Sequence, residues 1–316
     1  MKYIVGNNNV SWLLLHLLED SKLVLHKTLE RFDFNAGQPI IQPSLTTLVK
    51  EHFENVSTKE FERFYDDRGN FTSIKPKNFE KLYSLYTRGK TTTEKSYEEN
   101  YIKYVKYVSI DNLGPEESYD LLFEKIKDLN KDRTIDGPIE SIDPNGTICL
   151  NKQEIPFDRL LSTINLVDLV EIDSSKKIRD FIIDNNKLEG FNLPYNDKFI
   201  YICKLESEED KTLSNIYKQV LVTGKAYFRK TYIKDKIIIE SMRNIYDDQI
   251  EGNSVEKYIE STQISDNLNI NKVLGIDLVG RFSEWSENIT LETIYDRAYE
   301  LKEFYSFNEN NHKKVL

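Results

Sequence analysis

Cysteine and histidine are both scarce in this chain of 316 residues, which has two of the first and four of the second. Two cysteines are too few for a framework of disulfides, and with four histidines they leave little material for a Cys/His metal site. We therefore expect no metal site. We also expect Cys149 and Cys203 to be buried thiols in a reducing, cytoplasmic compartment.

Long apolar runs are missing as well. The apolar segment at residues 10–18 has only about half the length that a membrane-spanning helix needs. It is followed by Glu19 and Asp20 rather than by a signal-peptide cleavage site. We expect neither a signal peptide nor a membrane anchor.

Positive charge is in deficit, with 43 Lys and Arg against 53 Asp and Glu and a net charge of −10. This balance argues against broad, sequence-independent binding of nucleic acid, although a local basic groove remains an alternative. Hydrophobic residues make up 39% of the chain and aromatic residues 12%, which is the composition of a packed globular protein rather than of a disordered one.

Several catalytic patterns are absent too. The sequence has no Ser/His/Asp nucleophile set, no zinc-ligand spacing and no Walker loop, so hydrolase and NTPase functions have little support. His16 lies within the apolar segment 10–18, and we interpret it as a core residue rather than a catalytic base.

The first thirty residues do carry a clear pattern. Residues 2–5 are a short apolar run that ends at Gly6, residues 10–18 have the length of a helix, and residues 23–25 form a second short apolar run. Strand, tight turn, helix and strand in this order are typical of the first half of a dinucleotide-binding fold. The phosphates of a bound nucleotide would lie at the turn.

The turn departs from the usual G-x-G-x-x-G motif, in which the second glycine lets the backbone approach a pyrophosphate and the third lets helix and strand pack closely. Only the first glycine is kept, since Asn8 and Ser11 stand at the other two positions. The acidic residue that usually binds the adenosine ribose is replaced by His26, followed by Lys27. We expect weakened nucleotide binding, and an ordinary βαβ turn without a ligand is the alternative. The candidate cofactor-binding residues of this region are Gly6, Asn7, Asn8, Asn9, Val10, Ser11, His26 and Lys27.

The rest of the chain predicts further helices and strands. A pattern rich in Tyr and Lys predicts helices over 57–134, and the Asp-Pro-Asn-Gly at 143–146 predicts a hairpin over 138–150. Residues 158–164 predict a strand that returns to the first sheet. Alternation over 199–241 predicts antiparallel strands. A helix with Asn288 or Thr290 as its N-cap is predicted near the end.

Three segments occur in an order typical of one family. They are residues 142–150, residues 157–164, and the Gly-Arg-Phe-Ser-Glu-Trp sequence that starts at Gly280. Together they resemble the FAD-binding family that contains UDP-galactopyranose mutase, protoporphyrinogen oxidase and the flavin amine oxidases. The resemblance covers the first 45 residues, about 140–168 and about 268–305.

The resemblance implies FAD as cofactor and adds candidate residues. Ser162 and Thr163 would pass beside the cofactor, and Gly280 with Arg281 would lie at the flavin and its diphosphate, where Arg281 adds a charge-assisted contact. Trp285 belongs to the mutase-like version of this motif, and the helix from Thr290 would point its N-terminus at the same phosphates. We therefore predict that the turn at 6–11 faces the turn at 280–281 across one crevice.

The predicted fold class is α/β, an FAD-binding Rossmann-like domain with a helical insertion and an antiparallel-sheet substrate domain. The predicted boundaries are 1–56, 135–172 and 266–316 for the nucleotide-binding domain, 57–134 for the insertion and 173–265 for the substrate domain. The resemblance also implies candidate substrate-binding residues, which are Arg88, Tyr227 and Arg229. In a mutase-like enzyme, arginines from these regions would bind a substrate diphosphate, because a guanidinium pairs well with phosphate oxygens.

The predicted function is that of an FAD-dependent enzyme, an oxidoreductase or a mutase-like isomerase, acting on a small or nucleotide-linked substrate. One alternative is a flavin-dependent amine oxidase or lyase acting on a modified nucleobase in viral DNA hypermodification. Another is a cofactor-free binding or structural relative of the same fold, since a fold does not imply a function. The residues do not indicate a catalytic base or an oligomeric state.

Overall fold

The structure is a computed structural model of the chain. It describes residues 2–26, 40–67, 70–79, 81–82, 104–173, 175–193, 195–205, 218–222, 225–233, 236–245, 250, 253–264, 268–284 and 289–312.

The described strands and helices follow one another in a mixed α/β order. The strands are β1 (Lys2–Gly6), β2 (Ser21–Leu25), β3 (Val56–Asp67), β4 (Asn70–Thr72), β5 (Tyr104–Ile110), β6 (Thr134–Ile135), β7 (Ile139–Asp143), β8 (Thr147–Leu150), β9 (Gln153–Pro156), β10 (Arg159–Ser162), β11 (Tyr195–Leu205), β12 (Lys218–Leu221), β13 (Arg229–Ile233), β14 (Lys236–Ser241), β15 (Asn253–Ile264), β16 (Lys272–Val273) and β17 (Ile276–Leu278). The helices are α1 (Asn9–Leu17), α2 (Thr46–Lys50), α3 (Pro115–Asn130), α4 (Leu166–Ile172), α5 (Lys177–Asn186) and α6 (Leu291–His312).

The first sheet has the strand order β16-β17-β10-β1-β2-β6, and its central strands run parallel. Ile4 and Val5 of β1 are fully buried, as expected where helices and loops cover both faces of a parallel sheet. The predicted βαβ start and the predicted strand returning from residue 158 are both confirmed. Because parallel strands end at one edge, β1, β10 and β17 bring their carboxyl ends together there.

The second sheet is largely antiparallel, with the order β15-β11-β14-β13-β12-β3-β4 and β5 paired to β3. The strands predicted over 199–241 are present, and β11 and β14 pair along six residues. Apolar side chains of one face form a core around Tyr201, Cys203 and Ile239. The other face carries charged residues, and these take part in the site described below.

The region predicted to be a helical insertion contains long strands as well as a helix. Helix α3 begins at Pro115 as the sequence predicts, but β3 and β5 occupy much of the rest of what is described in 57–134. Strand β3 is held by non-local partners, since Phe64 is in register with Val220 of β12 and Val56 with Ile110 of β5. Local helical periodicity therefore gave the wrong element here, and the domain boundaries remain a prediction.

The predicted hairpin is confirmed as β7 and β8, with Gly146 at a φ of +124° in the turn. Both cysteines are free, as expected. Cys203 is fully buried in β11, but Cys149 of β8 is only half-buried, because every second residue of this small sheet faces outward. No helix in the described ranges is long and apolar enough to cross a membrane.

Candidate active site: a crevice between two glycine turns

The turn between β1 and α1 lies at the carboxyl edge of the first sheet and depends on Gly6. This residue has a φ of +156°, and a Cβ placed on it would lie 2.0 Å from the Thr163 Oγ1 atom. The Thr163 hydroxyl donates to the Val5 carbonyl at 3.1 Å, and the Thr163 N–H donates to the same oxygen at 2.9 Å. Thr163 therefore packs against the bare backbone of Gly6, which explains why the first glycine of the motif is kept.

We expect a Gly6→Ala substitution to lower the free energy of unfolding by about 1–3 kcal/mol, the usual range for overpacking. In a Thr163→Ala background, the methyl group added at position 6 no longer meets the Thr163 hydroxyl. The free energy of unfolding should therefore fall by less when Gly6 is changed in that background. Denaturant unfolding of the two single variants and the double variant would measure this coupling. Strictly additive effects would contradict the contact.

Asn8 caps α1 with its own side chain. The Ser11 N–H donates to Asn8 Oδ1 at 3.0 Å, and the Asn8 N–H donates to Ser11 Oγ at 3.0 Å, which makes a reciprocal capping box. Asn8 Nδ2 also donates to the Thr163 carbonyl at 2.9 Å, across the edge of the sheet. The carboxamide oxygen of Asn8 thus accepts the hydrogen bond from the Ser11 N–H, which a nucleotide phosphate would otherwise accept.

The rest of the first turn of α1 remains open to a ligand. The N–H groups of Asn9 and Val10 have no acceptor within the helix, because the first N–H groups of any α-helix lack one. The Asn9 side chain points to α3, where its Nδ2 donates to the Tyr119 hydroxyl at 3.2 Å. The side chain of Asn7 is exposed beside this turn. The helix end therefore keeps two N–H donors for an anion.

The second turn follows β17 and lies against the first, as predicted. Gly280 has a φ of +115°, and a Cβ placed on it would lie 3.6 Å from Val10 Cγ1. Its N–H donates to Glu284 Oε1 at 3.1 Å, and Glu284 also pairs with Arg297 Nη1 at 2.8 Å. Burial raises the pKa of Glu284, while Arg297 and the Gly280 N–H oppose that rise. Glu284 thus holds the Gly280 turn in its shape.

The end of β10 forms the floor of the crevice. Ser162 is in register with Val5 on one side and Leu278 on the other, and it is fully buried. Its carbonyl accepts from Ser283 Oγ at 2.7 Å. Its own Oγ has no hydrogen-bond partner in the described part of the chain. The structure therefore places Ser162 and Thr163 between the two turns.

His26 stands at the end of β2, where a ribose-binding acid is usual. Its backbone N–H donates to the Gly6 carbonyl at 3.3 Å, and its Nε2 lies 3.9 Å from Asp168 Oδ2 in α4. Burial lowers the pKa of His26. Asp168 is itself buried, and its N–H donates to Asn165 Oδ1 at 2.8 Å. The usual ribose-binding acid is thus replaced by the imidazole of His26, which lies beside the Asp168 carboxylate of α4.

A buried ion cluster lies next to Arg281 on the charged face of the second sheet. Arg229 donates from Nε and Nη2 to the two carboxylate oxygens of Glu240, and Lys198 Nζ lies 2.5 Å from Glu240 Oε1. Burial raises the pKa of Glu240, but Arg229 and Lys198 outweigh this and hold it at about 2. Burial lowers the pKa of Lys198, Glu240 raises it, and the charges of Arg229 and Arg281 lower it further.

Arg281 is exposed, and its electrostatic effect on Lys198 places it near the cluster. The Gly280 turn of the first sheet therefore lies within electrostatic range of the charged face of the second. Of the predicted substrate residues, Arg229 lies on this face. Tyr227 is buried in the apolar core of the opposite face, so the structure does not bring the two together.

Thr290 is the N-cap of α6, as predicted. Its Oγ1 accepts from the Thr293 N–H at 3.3 Å, and the Glu292 N–H donates to Gln42 Oε1 at 3.0 Å. These protein acceptors occupy N–H groups that the resemblance assigns to the cofactor phosphates. Lys27, Arg88 and Trp285 lie outside the described residues.

Asp168, Lys198 and Glu240 were not among the residues predicted from the sequence. Glu240 had a local signal, because it is a charged residue at the end of the apolar run Ile237 to Ile239. Asp168 is three residues after Asn165, which is the spacing between an N-cap residue and the N–H that it caps. This spacing predicts the start of a helix, but it does not predict that Asp168 lies beside His26. Lys198 has no sequence signal that links it to Glu240.

The fold has clear counterparts among solved structures, although no protein-family model and no curated protein sequence matches the chain. A reduced UDP-galactopyranose mutase superposes with a TM-score of 0.62 at 11% identity, covering 94% of this chain and 93% of the other. A putative protoporphyrinogen oxidase from Exiguobacterium sp. 255-15 gives 0.58 at 10% identity, covering 97% and 98%. BrvH, a flavin-dependent halogenase from Brevundimonas sp. BAL3, gives 0.51 at 11% identity, covering 96% and 71%.

These similarities extend over nearly the whole chain, including the segments in which no motif was found. The chain therefore has the fold of UDP-galactopyranose mutase and the putative protoporphyrinogen oxidase, as its three sequence segments predict.

Proposed function

We propose that the protein is an FAD-dependent enzyme whose crevice receives the diphosphate of the cofactor between the 6–11 turn and the 280–281 turn. The observation that carries this proposal is the position of Gly280 against Val10, which brings two glycine turns and the N-terminus of α1 together at the carboxyl edge of the first sheet. A helix N-terminus attracts anions through its free N–H groups and its dipole.

The residues fit the cofactor with one rearrangement. The N–H groups of Asn9 and Val10 have no acceptor within α1 and can donate to phosphate oxygens, and Arg281, next to Gly280 in the chain, is exposed. The Asn8 carboxamide must turn away before the Ser11 N–H can reach a phosphate. When bound, a flavin supplies electron or hydride transfer, and the protein binds, orients and shields the reactants.

The charged face of the second sheet supports an anionic, nucleotide-linked substrate. Lys198, Arg229 and Arg281 bring three positive charges together, whereas Glu240 supplies the negative charge that pairs with two of them. An excess of positive charge at the mouth of a crevice concentrates anions there. A substrate with a diphosphate group fits this charge pattern better than a neutral amine does.

Replacing Arg281 by alanine should weaken FAD binding about tenfold, because a charge-assisted contact at an exposed site lies near the lower end of 1.5–3 kcal/mol. Titration of the purified protein with FAD, followed by the flavin absorbance and fluorescence, would measure the affinity. Arg179 of α5 is exposed and belongs to neither glycine turn, and Arg179→Ala is the matched control. Equal FAD affinity in the Arg281 variant and the control would contradict the proposed contact.

A second candidate function follows from the Asn8 capping box. A chain that caps its own helix in place of a phosphate can be a cofactor-free binding or structural relative of the same fold. The same titration separates the two candidates. Saturable binding of FAD supports the enzyme, and no binding at millimolar FAD supports the cofactor-free relative.

A further inference from the structure

A second cluster of chemically active side chains lies at the other end of α1, away from the crevice. His16 is in the last turn of this helix, and Glu51 and His52 directly follow α2. They line a cavity of about 580 Å³, together with Asn130, Arg133 and Lys302. Nothing in the proposed flavin chemistry uses these groups.

The two imidazoles face each other closely. His16 Nε2 and His52 Nε2 are 3.1 Å apart, and the rings meet edge to face with centroids 4.9 Å apart. Metal–nitrogen bonds to histidine are about 2.0–2.1 Å long, so one ion can bind both nitrogens at this separation. The angle at the ion would then be close to that of a tetrahedral or octahedral site.

The carboxylate of Glu51 is the third candidate ligand. Ligand atoms of His16, Glu51 and His52 all lie within 4.8 Å of one another. Two ligands of a tetrahedral ion are about 3.4 Å apart at these bond lengths, so Glu51 has to approach by up to about 1.5 Å. Glu51 is exposed, and its side chain is free to turn toward the histidines.

We propose that His16, His52 and Glu51 bind one divalent transition-metal ion, with its remaining coordination positions open to the cavity. Two imidazoles and a carboxylate suit Zn²⁺, Co²⁺, Ni²⁺ or Fe²⁺, whereas Mg²⁺ and Ca²⁺ prefer oxygen ligands. Two of the cationic groups nearby already have partners. Arg133 donates to the carbonyls of Leu18 and Glu19 at 3.0 and 2.8 Å, and Lys302 pairs with Glu19 at 3.2 Å.

The contact with Asn130 affects which ring nitrogen of His16 carries the proton. Its Nδ2 lies 3.2 Å from His16 Nδ1 and also donates to the Ile126 carbonyl, while its Oδ1 accepts from Arg133 Nη2. Metal binding through Nε2 moves the ring proton to Nδ1, and that proton needs an acceptor. When the ion binds, the Asn130 amide must turn its oxygen to His16, which breaks its hydrogen bonds to the Ile126 carbonyl and to Arg133.

The binding test uses the full chain, stripped with EDTA and titrated with Zn²⁺ by calorimetry and with Co²⁺ by visible absorption. We expect one ion per chain, and a Co²⁺ spectrum that differs from that of the aqueous ion. His52→Gln should weaken Zn²⁺ binding by at least about 10- to 100-fold. Glu54→Gln, at an exposed carboxylate that does not line the cavity, should leave it unchanged. Absence of binding, or binding that survives His52→Gln, would overturn the proposal.

The role of Asn130 gives an independent measurement. Asn130→Asp supplies a fixed acceptor for His16 Nδ1–H, so it should tighten Zn²⁺ binding by up to about tenfold if His16 is a ligand. A hydrogen-bonded histidine pair without a metal role predicts no such gain. Unchanged or weaker Zn²⁺ affinity in a folded Asn130→Asp variant would contradict the assignment of His16.

Discussion

Replacing Glu240 by glutamine should lower the free energy of unfolding by about 3–5 kcal/mol, because removing one partner of a buried ion pair leaves the others without compensation. Glu240 is 1% exposed, and it is the common partner of Arg229 and Lys198. Without its charge, two cations on the same sheet face repel each other. Urea unfolding at neutral pH would measure the loss.

Glu256 of β15 is an exposed carboxylate in the same sheet, and Glu256→Gln is the matched control, with an expected change within about 0.5 kcal/mol. The two variants should have similar denaturant slopes, since both keep the same fold. If Glu240→Gln costs no more than the control, the cluster does not hold the charged face together.

The same cluster makes stability depend on pH. The pKa of Glu240 is held at about 2, below its ordinary value of 4.5, so its contribution is fully present above about pH 4.5. The contribution is lost as the pH falls from 4.5 toward 2. Glu240→Gln should therefore flatten the decline in stability over that interval, and an unchanged acid profile would argue against the lowered pKa.

Replacing Asn8 by glycine should tighten FAD binding by about 10- to 100-fold. The change frees the N–H group of Ser11 and opens the backbone to the diphosphate, and a hydrogen bond to a charged group contributes about 1.5–3 kcal/mol. The loss in stability should stay below about 2 kcal/mol, because glycine is itself an acceptable N-cap. Calorimetric titration with FAD would measure the gain.

Asn8→Asp is the matched control, because it keeps the cap on the Ser11 N–H but places a negative charge where the diphosphate would lie. It should bind FAD more weakly than the parent. If the parent already holds FAD tightly and Asn8→Gly loosens it, then Asn8 is a phosphate ligand. If no variant binds FAD, the cofactor-free function gains support.

A glutamate at position 26 would restore the acidic residue that usually binds the ribose, but it would not suit the neighbours of His26. The His26 ring lies 3.9 Å from Asp168, so a glutamate there would set two buried carboxylates side by side. Only the structure shows this neighbour. Asn8→Gly alone is therefore the cleaner test.

Local patterns in the sequence determined the elements that surround the crevice. The apolar runs before and after Gly6 predicted β1, α1 and β2, and the Gly280 turn and the cap at Thr290 were also predicted in place. Each of these depends on short-range physics, such as side-chain periodicity, a backbone angle open to glycine, or a hydroxyl that caps a helix.

The tertiary structure alone decided the groupings of charged and ionisable residues. Lys198, Arg229 and Glu240 meet because β11, β13 and β14 are adjacent in one sheet, and His16 meets His52 because α1 packs near the end of α2. Strand β3 likewise exists through pairing with β12, which is far away in sequence. The energies of these contacts depend on distance and burial, which local sequence patterns do not specify.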